Sequence, residues 1–227
     1  MSKAISTKQL VPGYQIRIRL LGVYPVIWRR FLFRSNNTFA DLHHAIQIAM
    51  NWSDEFLHHF KVQGKIVTVP RALGLDSTHC ANTLTLADLE FRPTQRFRYE
   101  YNFIDGWQLE VRIERLCQVD AAKMYPRCIG GKRAAPPEDC GGAASFMRQL
   151  EKYSPVFLQS WLLDLYDLLT QEDKEIPEWE WEVEARQEEL DELRYWMQVD
   201  RFRRRPINDR LKLYVAGDDT WRQLAEV

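Results

Sequence analysis

The residues of this chain best suited to hold a metal ion are two adjacent histidine pairs, His43-His44 and His58-His59, and four cysteines, Cys80, Cys117, Cys128 and Cys140. Zinc sites usually draw two ligands two to four residues apart on each side, and adjacent histidines on one helix or strand point to different faces. His58 shares an alternating apolar face with Phe56 and Phe60, and reads as a hydrogen-bonded core or boundary histidine. The cysteines match neither a CxxC pair nor a disulfide-dense scaffold, so reduced thiols are expected. No metal ligand and no cofactor is assigned.

A second concentration of chemistry lies in CIGGKRAAPPEDCGG, from Cys128 to Gly142, where Arg133, Glu138, Asp139 and the thiols of Cys128 and Cys140 fall among paired glycines and prolines. Such a segment can be neither helix nor strand for long, and is expected to be a shaped loop. With Asp105 and Trp107 of a nearby turn it forms a candidate recognition surface. The architectural reading of the same loop is a plug over the end of a sheet. Pro136-Pro137 would then stiffen it, Glu138 or Asp139 would cap the following helix, and Arg133 would pair with a carboxylate.

A third candidate is the amino-terminal forty residues, which carry bases and no acid. Arg17 and Arg19 would project from one strand face, and Arg29 and Arg30 lie beside Trp28 and Phe31, a mixture that suits nucleic acid because arginine meets phosphate and rings stack on bases. Against this, the same arginines could pair with an acidic helix spanning Glu172 to Glu192. The formal net charge of -1 and pI near 6.5 exclude a chain basic over its whole surface. No GxSxG, GxxxxGK[ST], strand-linked GxGxxG or HExxH motif is present, and no serine or tyrosine recombinase constellation aligns. An enzyme is therefore not the favoured class. The remaining catalytic alternative is a metal-dependent hydrolase centred on Asp105, Glu138, Asp139 and nearby thiols or histidines.

The elements that would position these groups follow from periodicity. Tyr14, Ile16, Ile18 and Leu20 alternate with Gln15, Arg17 and Arg19, giving a half-buried strand, and Ile27 to Phe33 returns beside it. Thr38 and Asp41 mark the start of a helix to about Asn51, with Phe39, Leu42, Ile46 and Ala49 on its apolar face. Phe56 to Val62 and Lys65 to Val69 form two more strands around Gln63-Gly64. Pro70 to Asp88 is expected to wrap the surface, with a helical turn at Leu86 to Leu89. The clearest pattern pairs RFRYEYNF with WQLEVRI across an Asp105-Gly106 turn, placing Phe97, Tyr99, Tyr101 and Trp107 on one aromatic face. Helices follow Gly142, and another runs from Pro177 to about Met197.

Four stretches, YQIRIRLLGVYPVIWRRFLF, FADLHHAIQIAMNWSDEFLHHFKV, RFRYEYNFIDGW and GKRAAPPEDCGG with its following helix, make the chain resemble the plasmid pRiA4b ORF-3-like family over roughly residues 14 to 214. Members of that family are also labelled passenger proteins of an insertion element. The resemblance implies a plasmid- or mobile-element-associated accessory protein of undefined activity. The chain departs from the family pattern at Asn102 and Ile104, where an aspartate and a glycine are usual, and at Ala135, often a cysteine. These changes remove a carboxylate partner for Asp105 and a third thiol beside Cys128 and Cys140.

The expectation is thus an α+β fold: a largely antiparallel sheet covered by helices, forming a single domain with a core of about 14–170 and a helical extension of about 171–214. No apolar run is long enough to span a bilayer and MSKAISTKQL lacks a secretory h-region, so a cytoplasmic protein is expected. The function expected is a non-enzymatic binding module presenting the Cys128 to Gly142 loop and the Asp105 turn. Its partner is protein or nucleic acid and not membrane, and the alternative is a nucleic-acid binder using the basic amino-terminal hairpin.

Overall fold

The computed structural model describes residues 9–69, 79–170 and 180–225. Within them the chain runs β1 (Leu10–Leu20), β2 (Trp28–Arg34), α1 (Phe39–Met50), β3 (His58–Val62), β4 (Lys65–Thr68), β5 (His79–Cys80), β6 (Arg96–Tyr101), β7 (Trp107–Asp120) and β8 (Arg127–Lys132). It continues through α2 (Gly142–Lys152), α3 (Pro155–Thr170), α4 (Glu180–Met197) and α5 (Arg204–Ala216), and a 3-10 segment covers Asp219–Ala225. The eight strands form one sheet in the order β5-β4-β3-β6-β7-β1-β2-β8. Every pairing is antiparallel except β4 with β5. The fold is therefore α+β with a helical carboxy-terminal part.

Alternation decides the two faces. Ile16 and Ile18 of β1, Phe31 and Phe33 of β2, Tyr99 and Tyr101 of β6 and Trp107, Leu109, Val111 and Ile113 of β7 turn inward and are buried, which satisfies the aromatic hairpin expected from the sequence. Helix α1 lies on this face, its Phe39 ring 5.2 Å edge-on from Phe60. It begins in a capping box, with the Thr38 hydroxyl accepting from the Asp41 amide and the Asp41 carboxylate accepting from the Thr38 amide. It ends at Asn51 in the left-handed region (φ 56).

Several elements depart from the sequence reading. The segment beginning at Cys128 opens as strand: β8 pairs with β2 through Gly130 and Gly131. The glycines leave room for neighbouring rings, since a Cβ on Gly131 would sit 2.4 Å from the Phe202 ring. Asn208 of α5, a helix within the helical extension expected at about 171–214, closes this edge strand by donating to the Cys128 carbonyl and accepting from the Cys128 amide, both at 2.9 Å. The two-residue β5 was not anticipated. Helix α2 starts after Gly141 with no side-chain cap, so neither Glu138 nor Asp139 plays that part. The first residues of the helix expected from Pro177, and residues 70–78 of the surface wrap expected from Pro70 to Asp88, lie outside the described residues.

Candidate functional site

The outward face of the sheet is basic. Cross-strand register places Arg96 opposite Arg112, Arg112 opposite Arg17, and Arg17 opposite Arg30, so four arginines stand in one row across β6, β7, β1 and β2. Strands lie about 4.8 Å apart, so neighbouring guanidinium stems in this row are next to one another. Arg98, Arg115, Arg19 and Arg34 add a second arginine from each of the same strands. Among the described residues the strand carboxylates on this face are Glu100, Glu110 and Glu114. Glu114 grips Arg30 through Nε at 2.6 Å and Nη2 at 2.8 Å, and Gln15 also donates to it. Burial pushes the Glu114 carboxyl up, but the hydrogen bonds from Arg30 and Gln15 outweigh this and hold it below its usual value. Glu110 is shared between Arg96 at 3.2 Å and Arg19 at 3.6 Å, and Glu100 between Lys61 and His59, each at 3.0 Å.

Arg17 and Arg112 form no ion pair among the described residues, and the Nε of each is buried without a hydrogen-bond partner. Arg17 and Arg30 instead stack on Trp28, 4.9 and 5.0 Å from its ring centre. On this face Arg19, Arg30 and Arg96 thus pair with β7 carboxylates, and Arg17 and Arg30 lie on Trp28; residues 171–179 of the acidic segment that was the other expected partner lie outside the described residues. Arg29 belongs to the opposite face. Its guanidinium, 2% exposed as a residue, donates to the Ala49, Trp28 and Lys132 carbonyls, and burial lowers its pKa to about 10. It braces the end of α1 and does not reach the outer surface.

A second cluster is buried between α1 and the turn that follows it. His43 Nε2 lies 2.6 Å and His44 Nε2 3.7 Å from the Asp54 carboxylate, which is 2% exposed and also receives Arg222 at 3.0 Å. Burial pushes Asp54 upward, but His43, Arg222 and His44 together hold it well below the carboxylate range. Burial and the neighbouring His43 bring His44 down to about 4. The ring of His43 stacks on His58 at 3.5 Å, and His43 Nδ1 meets the Tyr99 hydroxyl at 2.8 Å. His59 alternates to the outer face. The two helical histidines reach one carboxylate because successive helix residues diverge by about 100° and not by the 180° of a strand.

The residues of the expected recognition surface divide between two places. Asp105 abuts the loop so closely that a Cβ on Gly142 would lie 2.2 Å from its carbonyl oxygen, which fixes glycine there. Trp107 is buried and donates to the Glu138 carbonyl at 2.8 Å, while the Glu138 carboxylate accepts from the Ser53 amide and the Tyr101 hydroxyl. Asp139 is exposed, and Cys140 stays a high-pKa thiol, pushed up to about 11 by burial and by Asp105 and Asp139. Arg133 is buried and pairs with Asp200 at 2.9 Å, and Cys128 is buried beside Asn208. These groups anchor the loop to the sheet end and to the segment after α4.

The model of the plasmid pRiA4b ORF-3-like protein family matches residues 12–183. The chain belongs to this family. It is 26% identical over 129 residues to an uncharacterized protein, y4hQ, of Sinorhizobium fredii (strain NBRC 101917 / NGR234). That match takes in 56% of this chain and 66% of the relative. The crystal structure of a protein of unknown function, MM3350, from Methanosarcina mazei Go1 is similar with a TM-score of 0.56 and 31% identity, over 74% of this chain and 94% of that one. The family boundary leaves most of α4, all of α5 and the 3-10 segment outside it, and with them Asn208, Arg210 and Arg222. Among the described residues no helix is long and apolar enough to cross a membrane.

Proposed function

We propose that this family member is a non-enzymatic nucleic-acid-binding protein whose outer sheet face holds the phosphodiester backbone. The observation that carries the reading is the row of Arg96, Arg112, Arg17 and Arg30. Like charges directly opposite one another destabilise a sheet, and fold stability gives no reason to align four. A backbone with a negative charge at every nucleotide removes that repulsion and releases its counterions, whereas a protein surface with scattered carboxylates matches the row less well. Trp28 lies between Arg17 and Arg30 and sets their direction. Contacts of this kind position a strand and carry little sequence preference. The Cys128 to Gly142 segment and the Asp105 turn serve in this reading to close the sheet end.

The test is fluorescence anisotropy with labelled single-stranded RNA, single-stranded DNA and duplex DNA over a salt series. Wild-type protein is expected to bind with log affinity falling linearly in log salt. The double variant Arg17→Gln/Arg112→Gln should lose affinity for every sequence and flatten the slope by about 1 to 2. Arg205→Glu, on the 95% exposed arginine of α5, is the control and should change little. Absence of salt-dependent binding, or binding as strong in the double variant as in wild type, would remove the proposal.

A further inference from the structure

Asp54 and the two histidines above it lie on the side of the sheet away from the arginine row, and the function proposed above makes no use of them. One donor atom from each of His43, His44 and Asp54 lies within 4.8 Å of the other two. We infer that these three side chains form a site for a zinc-class divalent ion, with Arg222 as the cation that stands in its place when the site is empty. Zinc bonds to nitrogen and oxygen of about 2.0 to 2.2 Å set tetrahedral donors roughly 3.4 Å apart, and the 2.6 and 3.7 Å separations from Asp54 bracket that distance.

The outer contacts suit ligation. His44 Nδ1 lies 2.8 Å from the Ala40 carbonyl, which only accepts, so the ring carries its proton there and presents a bare Nε2 to Asp54. A lone pair facing a carboxylate oxygen 3.7 Å away is an acceptor meeting an acceptor, and a cation between them resolves it. His43 is adjustable. Gln47 donates to the Tyr99 oxygen at 2.9 Å, Tyr99 can donate to His43 Nδ1, and His43 Nε2–H can donate to Asp54. Gln47 Oε1 is buried with no hydrogen-bond partner among the described residues. Turning that amide over lets Tyr99 donate to Oε1 and accept from His43 Nδ1–H, which leaves His43 Nε2 bare for an ion. Proton number is the same in both arrangements: the imidazole stays neutral and the tyrosine keeps its hydroxyl. Either orientation leaves one end of the amide unpaired, so Gln47 does not lock the relay in one direction.

Arg222 is 46% exposed while the Asp54 carboxylate it touches is 2% exposed, so it caps the cluster from the solvent side. An ion entering must displace that guanidinium from Asp54, and its charge replaces the one lost. Full-length protein purified without an affinity tag and stripped with chelator is titrated with Co(II), followed by its visible ligand-field absorption and by competition with Zn(II). Wild type is expected to take up one ion per chain. Arg222→Gln should bind at least about tenfold more tightly, the scale on which outer contacts tune metal sites. His44→Ala, checked for native near-UV circular dichroism, should lose the site. On the wild type itself, nitrogen-15 shifts should show the His43 proton moving from Nε2 to Nδ1 when Zn(II) is added. No uptake by wild type and Arg222→Gln alike, undiminished uptake by folded His44→Ala, or an unmoved His43 proton in the metal-loaded protein would each overturn the inference.

Discussion

At the scale of single residues the outer face is governed by which arginines hold a carboxylate. Glu114 neutralises Arg30 with two hydrogen bonds and draws on Arg17 electrostatically, so it competes with any phosphate for the middle of the row. Replacing it in Glu114→Gln keeps the shape, removes the competitor and raises the charge of the face by one. Affinity for an oligonucleotide is expected to rise severalfold, with the salt slope steepening by up to about one ion. Unchanged or weaker anisotropy binding would contradict this. A second residue-scale consequence belongs to the metal-free protein. His44 titrates near 4 in the folded chain against about 6.5 unfolded, so the unfolded chain binds more protons in between. Stability is therefore lost as pH falls from about 6.5 to 4. Asp54, held below its unfolded value, continues the loss below about 4. The His44 part amounts to about 3 kcal/mol, and urea unfolding midpoints should fall from pH 7 to 5 in wild type and stay flatter in His44→Gln. The sequence made His58 legible as a buried histidine, because a strand alternates. It did not reveal that His43 and His44 share Asp54, which needs the path of the Trp52 to Phe56 turn, where Asp54 sits in the left-handed region at φ 64.

At the scale of elements, one register explains both the strong and the weak parts of the sequence reading. The hairpin of β6 and β7 is legible because its partners are adjacent in the chain and an Asp-Gly turn fixes their pairing. Strand β1 pairs with β7 over its whole length, almost a hundred residues away, and with β2 on its other edge. Arg17 and Arg19 were visible in the alternation, whereas Arg96 and Arg112 gained meaning only when that distant pairing placed them in line. Strand β8 stayed hidden because Gly130-Gly131 carries no alternation and is held by Trp28 and by Asn208 of α5. The row also predicts a trade between stability and binding. Arg17→Gln/Arg112→Gln should leave the melting temperature unchanged or raise it, by up to about 1 kcal/mol for relief of cross-strand repulsion, while oligonucleotide affinity falls. Loss of both together would mean that the arginines support the fold and not a ligand.

At the scale of the molecule, the carboxy-terminal helices complete the core of the family fold by supplying charge to the end of α1. That helix carries no basic residue in its last turn, and its end is buried, which leaves carbonyls to be satisfied from elsewhere. Arg29 of β2 reaches the Ala49 carbonyl at 3.0 Å, and Arg210 of α5 reaches Asn51 at 2.8 Å and the Ile48 carbonyl at 3.4 Å while also holding the Trp221 carbonyl at 2.9 Å. Both guanidinium groups favour the negative end of the helix dipole. Arg210 thus ties together the sheet-covering helix, its own helix and the 3-10 segment that brings Trp221 against His44 and Arg222 against Asp54. Arg210→Met fills most of the space but removes the guanidinium donor to the Trp221 and Ile48 carbonyls and to Asn51, at a cost of about 2 to 4 kcal/mol, or roughly 5 to 12 °C for a chain of this size. The same variant leaves the opposite face of the sheet untouched, so at a temperature where it is folded its oligonucleotide affinity should equal that of wild type. A calorimetric melt paired with anisotropy distinguishes the two sides of the molecule. If affinity falls with stability in this variant, the basic face depends on the helical layer and the separation between the two surfaces is lost.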